Sequence, residues 1–248
     1  MRIALLSDIH EDIVSLKKIL RKIEKTGYDK LICLGDVSGF SVPYYKYTHT
    51  RNAHECLSLL REKCSVVVPG NHDFYAAQII PEHSAIFDFP QNWYDLDYYQ
   101  HLEMSNGKIW LHEENDLNPL YSNDDIAFLR SLPEYYILES PEGNILFSHY
   151  AYPNLSGFQK KFYSTGADFD PHFKFMENNN CNLSFTGHAH ISGFYVVTRE
   201  SFKQYRFNKV KLKAFPVCLG ILPVTSQENR NGFCIFDTES LFFKAIRS

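Results

Sequence analysis

The residues of this chain that could do chemistry stand where apolar runs end. "RIALLS" runs into Asp8-Ile9-His10, and "DKLICLG" closes on Gly35-Asp36. "SVVVPG" is followed by Asn71-His72-Asp73, "NILFSHY" carries His149, and "NLSFTG" leads into His188-Ala189-His190. These positions offer carboxylates, an amide oxygen and imidazoles, and no thiolate. Mixed nitrogen and oxygen donors suit manganese, iron, zinc, nickel or cobalt better than calcium or magnesium, which favour oxygen shells. The donors outnumber what one ion needs, so two divalent transition-metal ions sharing a carboxylate is the economical reading, with manganese first among the metals. Two cations about 4 Å apart can clamp the attacking and leaving oxygens of an in-line displacement. Bound water loses much of its pKa, down to about 7 on zinc, so metal-bound hydroxide becomes available to attack phosphorus. The leaving alkoxide needs a proton, which a neighbouring protonated histidine can give. Each motif alone has an ordinary explanation: Asp8 can start a polar loop, His72-Asp73 can cap a helix, and His149 can be a satisfied structural histidine. Their joint order after successive apolar runs is what points to a metal site.

Such a site needs rigid elements behind it. "RIALLS" reads as a first strand, and Ile13, Leu16, Ile19, Leu20 and Ile23 follow at helical spacing up to Gly27. "DKLICLG" is a second strand, "NAHECLSLLREKC" a helix and "SVVVPG" a third strand. This order predicts a largely parallel sheet, and ligands of such sheets bind beyond the carboxyl ends of the strands. Residues 74–121 lack a sustained period and carry Trp93, Tyr94, Tyr98, Tyr99 and Trp110, which predicts a variable aromatic insertion. Ser122 is expected to cap a helix. "EYYILES" and "NILFSHY" read as strands joined by a turn at Pro141 to Gly143, "DPHFKFMENNN" as a short helix, and "NLSFTG" as a strand. From residue 193 onward strands follow without long helices, so the second half reads as antiparallel or mixed. No linker or repeat interrupts the chain, which predicts one domain over 1–248.

The order Asp8-x-His10, Gly35-Asp36, Gly70-Asn71-His72-Asp73, His149, Gly187-His188-x-His190 resembles the calcineurin-like metallophosphoesterase superfamily. The stretches "GDVSGFSVP", "HECLSLLRE" and "VVVPGNHD" are similar to small bacterial predicted phosphodiesterases grouped with diadenosine-tetraphosphatase-like proteins. The resemblance implies an α/β four-layer sandwich, two mixed β-sheets packed together and flanked by helices. It assigns Asp8, His10, Asp36 and His190 to one metal, and Asp36, Asn71, His149 and His188 to the other, with Asp36 as the bridge. His72 resembles the family's histidine that approaches the phosphate and the leaving oxygen, and Asp73 would orient it. A carboxylate beside a histidine raises its pKa and fixes its tautomer. Gly70 is read as the residue that lets the backbone turn to aim them. Where the branch usually has glycine after the equivalent of His149, this chain has Tyr150. Only Gly220 and Arg230 have clear counterparts to its glycine-rich and Arg/Asp-rich segments.

Substrate contacts are expected from Arg51 and Arg230, which could hold a second phosphate, and from Tyr150. Tyr44, Tyr45, Tyr47 and the aromatics at 93–99 could stack a nucleobase, although ordinary packing of a tyrosine-rich chain is the favoured reading, because aromatics dominate cores generally. The remaining histidines, His49, His54, His83, His101, His112 and His172, are read as structural or exposed. A formal net charge of -4 gives no global basic field for nucleic acid, and no stretch reaches the length of a membrane span. Six cysteines without CxxC spacing read as buried hydrophobes of a reducing, cytoplasmic compartment. The expected partner is a small phosphoester, in particular a nucleotide or cyclic nucleotide, cleaved by a phosphodiesterase. The alternatives are a phosphomonoesterase, including a Ser/Thr protein phosphatase, and a catalytically inactive scaffold of the same fold, as a retromer subunit is.

Overall fold

Alternation along the strands decides the layering. In the computed structural model, which describes residues 1–84, 86–140, 143–213, 215–225 and 231–248, strand β1 (Arg2–Leu6) turns Ile3 and Leu5 to one side and Ala4 and Leu6 to the other. The first half continues with β2 (Lys30–Cys33), β3 (Phe40–Ser41), β4 (Val66–Val67), β5 (Asp116–Leu117), β6 (Tyr135–Leu138) and β7 (Asn144–Ser148). The second half adds β8 (Cys181–Thr186), β9 (Phe194–Thr198), β10 (Ser201–Tyr205), β11 (Lys209–Lys211), β12 (Val217–Gly220), β13 (Gly232–Asp237) and β14 (Phe242–Arg247). Between them lie α1 (Ile13–Thr26), α2 (Ala53–Lys63), α3 (Asn71–Ala77), α4 (Tyr98–Ser105), α5 (Asn123–Ser131) and α6 (Asp170–Asn178).

Of two six-stranded sheets, one runs β11-β14-β13-β1-β2-β4 and the other β10-β9-β12-β8-β7-β6, while β3 and β5 pair as a small sheet of their own. Both large sheets are mixed. β1, β2 and β4 are parallel, as are β7, β8 and β12, while the remaining pairs in each sheet are antiparallel. Ile3, Leu5 and Ile32 meet Phe147, Phe185 and Leu219 in a core between the sheets. Ala4, Leu6 and Cys33 pack outward on α1 and α2, and Leu146, Cys181 and Cys218 pack on Phe173 and Met176 of α6. The result is helix, sheet, sheet, helix. It is the expected four-layer sandwich.

Helix starts follow their capping residues. Asp12 caps α1 by accepting from the Ser15 backbone N–H, and Ser122 caps α5 through Asp125, as its sequence implied. The third apolar run forms a strand of only two residues, because Pro69 and the start of α3 at Asn71 cut it short. The aromatic stretch after it builds a core of its own from Phe74, Phe87, Trp93, Ile109, Leu111 and Phe158. The turn expected at Pro141 to Gly143 lies mostly outside the described residues.

Candidate metal centre

Asp8 and His10 follow β1, Asp36 follows β2, Asn71 opens α3, His149 follows β7, and His188 and His190 follow β8. The loops are laced together by their backbones. Asp8 N–H donates to Gly35 O at 2.9 Å, and Ile9 and His10 N–H both donate to Asp36 O. Among the described residues, six of the ten non-glycine residues with positive φ are Asp8, His10, Glu11, Asp36, His188 and His190. Left-handed backbone at non-glycine positions costs roughly 1 kcal/mol or more each and persists where its surroundings enforce it.

The side chains converge. His190 Nε2 lies 3.3 Å from Asp8 Oδ1 and 2.9 Å from His10 Nε2. His149 Nε2 lies 3.2 Å from Asp36 Oδ2 and 3.2 Å from His188 Nδ1. Asp36 Oδ2 is also 4.0 Å from His10 Nε2, so it stands between both groups. His10 Nδ1 donates to Gly39 O at 2.8 Å and His149 Nδ1 to Leu34 O at 2.6 Å, which turns each Nε2 inward. Gly70 has φ -100° and ψ 177°, an extended backbone open to any residue, so it does not serve a sharp turn. It is glycine because a Cβ there would stand 2.2 Å from Asp36 Oδ1.

Burial and neighbouring charges set the ionisation. Burial would raise Asp8, but His190 outweighs it and holds the carboxyl at about 2. Burial would likewise raise Asp36, and His149 and His72 hold it well below the ordinary carboxylate value. Burial depresses His10 and His188 to about 3 each. Burial would lower His149 too, but Asp36 lifts it to about 9.

The sequence model of the calcineurin-like phosphoesterases matches residues 1–192. The chain belongs to that family. It is thus a metal-dependent phosphoester hydrolase. It is 27% identical over 251 residues to an uncharacterised protein of Methanocaldococcus jannaschii, an alignment covering 99% of this chain and 86% of the relative. A metallophosphoesterase from Sphaerobacter thermophilus has a similar structure, with TM-score 0.67, 17% identity, and coverage of 100% of this chain and 87% of the other. So does a protein proposed to be a diadenosine tetraphosphatase, with TM-score 0.51, 14% identity, and coverage of 100% and 93%.

The donor set suits divalent cations. Ligands about 2.1 Å from one ion stand roughly 3.0–3.4 Å from each other. The 3.3 Å between His190 and Asp8 and the 3.2 Å between His149 and Asp36 fall in that range. Asn71 Oδ1 is buried with no hydrogen-bond partner, an acceptor that a cation would satisfy. Asp8, His10 and His190 form one group that could hold an ion, and Asp36, His149 and His188 form another. His72 joins His10 and Asp36 in a third grouping at the rim.

Several expectations need correction. Asp73 does not contact the His72 ring through a hydrogen bond, since His72 Nδ1 is buried without a partner. The Asp73 carboxylate instead accepts from Val37 N–H, Ser38 N–H, the Ser38 hydroxyl and Gly70 N–H, capping α3 and pinning the loop after β2. Arg51 is not free for a phosphate. Its Nη1 donates to the buried Glu11 at 2.8 Å and its Nη2 to Asn118 O at 3.3 Å. Tyr150 is buried, accepts from Tyr163 N–H and packs its ring 5.0 Å from His188, so it forms the wall behind that histidine. Arg230 lies outside the described residues.

Two of the tyrosines considered for base stacking, and one glycine, serve the site's histidines instead. Tyr45 stacks on His10 at 5.1 Å, Tyr47 donates to His10 O, and Gly39 lies under His72. Beside them opens a cavity of about 270 Å³, lined in part by His72, Gly39, Tyr75 and His112.

Proposed function

We propose that this chain is a dinuclear metal-dependent phosphodiesterase acting on a small nucleotide-type phosphodiester. The observation that carries the reading is Asp36, whose carboxylate lies within ligand reach of both histidine groups while its other oxygen accepts from the His72 backbone N–H at 3.0 Å. In this reading Asp8, His10, Asp36 and His190 hold one ion, and Asp36, Asn71, His149 and His188 hold the other. Manganese is the first choice, ahead of iron, zinc, nickel or cobalt. Bound there, the ions would supply Lewis-acid polarisation of the phosphoryl group and a source of hydroxide near neutral pH.

The chain's own residues do the rest. The two carboxylates stay ionised and cancel charge. Gly39 O and Leu34 O fix the tautomers of His10 and His149. Anchored at the helix start, His72 presents its ring beside the cavity and is assigned the proton donated to the leaving oxygen. Asp73 is a positioning residue, acting through the backbone it holds.

Pairing of β13 with β1 closes the first sheet with the far end of the chain, which supports one domain over 1–248. The six cysteines are free thiols, in keeping with a cytoplasmic site. Among the described residues no helix is long and apolar enough to cross a membrane.

The test is hydrolysis of alkyl and 4-nitrophenyl phosphodiesters against matched monoesters, with manganese add-back. The expected result is diester preference, and His72→Ala losing most turnover on the alkyl ester while keeping its metal. A monoester preference would make the protein a phosphomonoesterase. Wild-type turnover of the alkyl diester by His72→Ala would remove the acid role.

A further inference from the structure

The cavity beside His72 has a chemical character that the metal centre does not dictate. It holds about 270 Å³, just under the usual range of ligand sites and on the scale of a nucleoside-sized group. Gly39 and His72 stand on its metal side, and Tyr75, Tyr94, Tyr98 and His112 supply its rings.

The tyrosine protons are committed. Tyr75 donates to Trp110 O at 2.9 Å, Tyr94 to Ile79 O at 2.6 Å, and Tyr98 to the Glu113 carboxylate. What these residues offer an occupant is ring surface. Tyr75 and Tyr94 meet edge to face at 6.0 Å, and the Tyr75 and His112 rings lie 6.2 Å apart. Burial holds the pKa of His112 below the ordinary imidazole value, which disfavours its charged form.

Among the described residues lining the cavity there is no lysine, arginine, aspartate or glutamate. The nearby guanidinium, Arg51, is spent on Glu11 and Asn118 O. A further phosphate placed here would therefore meet no lysine or arginine, and of the lining histidines His72 is committed to the leaving oxygen and His101 bonds Trp93 O. Gln78 and Asn118 on the lining bring amide groups of the kind that match the edge of a base, the Asn118 side chain also bonding His112.

We infer that this cavity receives the leaving group, and that the leaving group is a nucleoside carrying no second phosphate. The inference rests on the phosphodiesterase reading and narrows it, setting dinucleoside polyphosphates and phosphoproteins aside. Ring stacking accepts any base face, so the site tolerates purine and pyrimidine alike.

The test uses manganese-loaded protein with adenosine, uridine, ribose and 4-nitrophenol as probes, read by calorimetry and by inhibition of bis(4-nitrophenyl) phosphate hydrolysis. Adenosine and uridine should bind and inhibit competitively, and ribose should not. Tyr98→Ala removes a half-buried ring, and Leu96→Trp fills the cavity while keeping an apolar group against the aromatic core. Each should weaken nucleoside binding by about 10-fold or more. No nucleoside binding alongside intact diester turnover would overturn the inference alone. So would 4-nitrophenol binding as tightly as adenosine, which would mark a plain aryl slot, or binding that both variants leave unchanged. Nucleoside binding without any diester turnover would sink the phosphodiesterase reading and the leaving-group role with it.

Discussion

The imidazole of His72 lies so close over Gly39 that a Cβ on Gly39 would stand 2.3 Å from its Cγ. Gly39 also has φ +97°, which other residues rarely adopt. Both facts make Gly39 the floor that sets the height of His72 above Asp36. Gly39→Ala should push the ring away, and a displacement near 1 Å at a reacting group costs about 100-fold in rate. The measurement is kcat on an alkyl phosphodiester beside metal content by elemental analysis. Turnover should fall far more than bound metal. Unchanged turnover would mean that the position of the His72 ring is not needed.

Asp73 makes a different prediction from that of a residue hydrogen-bonded to His72. Its buried carboxylate accepts four hydrogen bonds that tie the start of α3 to the loop after β2. Hydrogen bonds to a charged acceptor contribute roughly 1.5–3 kcal/mol each, so Asp73→Ala should destabilise the fold by about 3 kcal/mol or more. At this chain length that lowers Tm by about 6–12 °C. Asp73→Asn, which keeps an acceptor, should recover part of the loss. A calorimetric scan decides it. An Asp73→Ala protein as stable as wild type, yet inactive, would restore the direct role.

The candidate metal ligands stood out in the sequence because each follows an apolar, strand-like run, and strand ends in an α/β sheet share an edge. The two-sheet layering came through the family resemblance alone: a run such as Ile3, Ala4, Leu5 and Leu6 shows that both faces of a strand are covered, and does not say whether a helix or a second sheet covers them. Arg51 was misread because sequence shows a cation and hides its partner, and Glu11 gives no sign of being buried. Gly70 was misread because a close approach to Asp36 and a turn both ask for glycine. The cavity was invisible because Tyr75, Tyr94 and His112 come together only when residues 74–121 fold on their own aromatic core. Packing and binding draw on the same residues there, and composition alone does not separate them.

Arg51 and Glu11 should behave as a structural pair. Glu11 is 1% exposed and Arg51 15%, with 2.8 Å between them. Burial already lifts the Glu11 carboxyl to about 7 with Arg51 beside it, so losing Arg51 leaves a buried acid without its countercharge that must take up a proton near neutral pH, which costs stability. Arg51→Met should therefore lower stability in urea while leaving KM for a small diester unchanged. Glu11→Gln combined with Arg51→Met should recover much of the stability, because no uncompensated charge remains. A tenfold rise in KM for Arg51→Met without loss of stability would return Arg51 to the substrate.

His172 offers a pH-dependence of stability away from the metal centre. It is fully buried, accepts from Tyr152 N–H at Nδ1 and donates from Nε2 to the Ser184 hydroxyl. Burial lowers its pKa from 6.5 to about 3. An unfolded chain takes up this proton near pH 6.5, and the folded protein does not until about pH 3. Between those values the unfolded state holds more protons, so its contribution to stability is complete above pH 6.5 and is lost as pH falls towards 3. The loss is about 1.4 kcal/mol per pH unit across the window. His172→Gln keeps hydrogen-bonding capacity but cannot titrate. Urea unfolding of the metal-loaded protein at pH 7, 6 and 5 should show a shallower decline for the variant than for wild type. Parallel declines would mean that His172 already carries its proton in the folded protein, which would require an acceptor in place of the Tyr152 N–H.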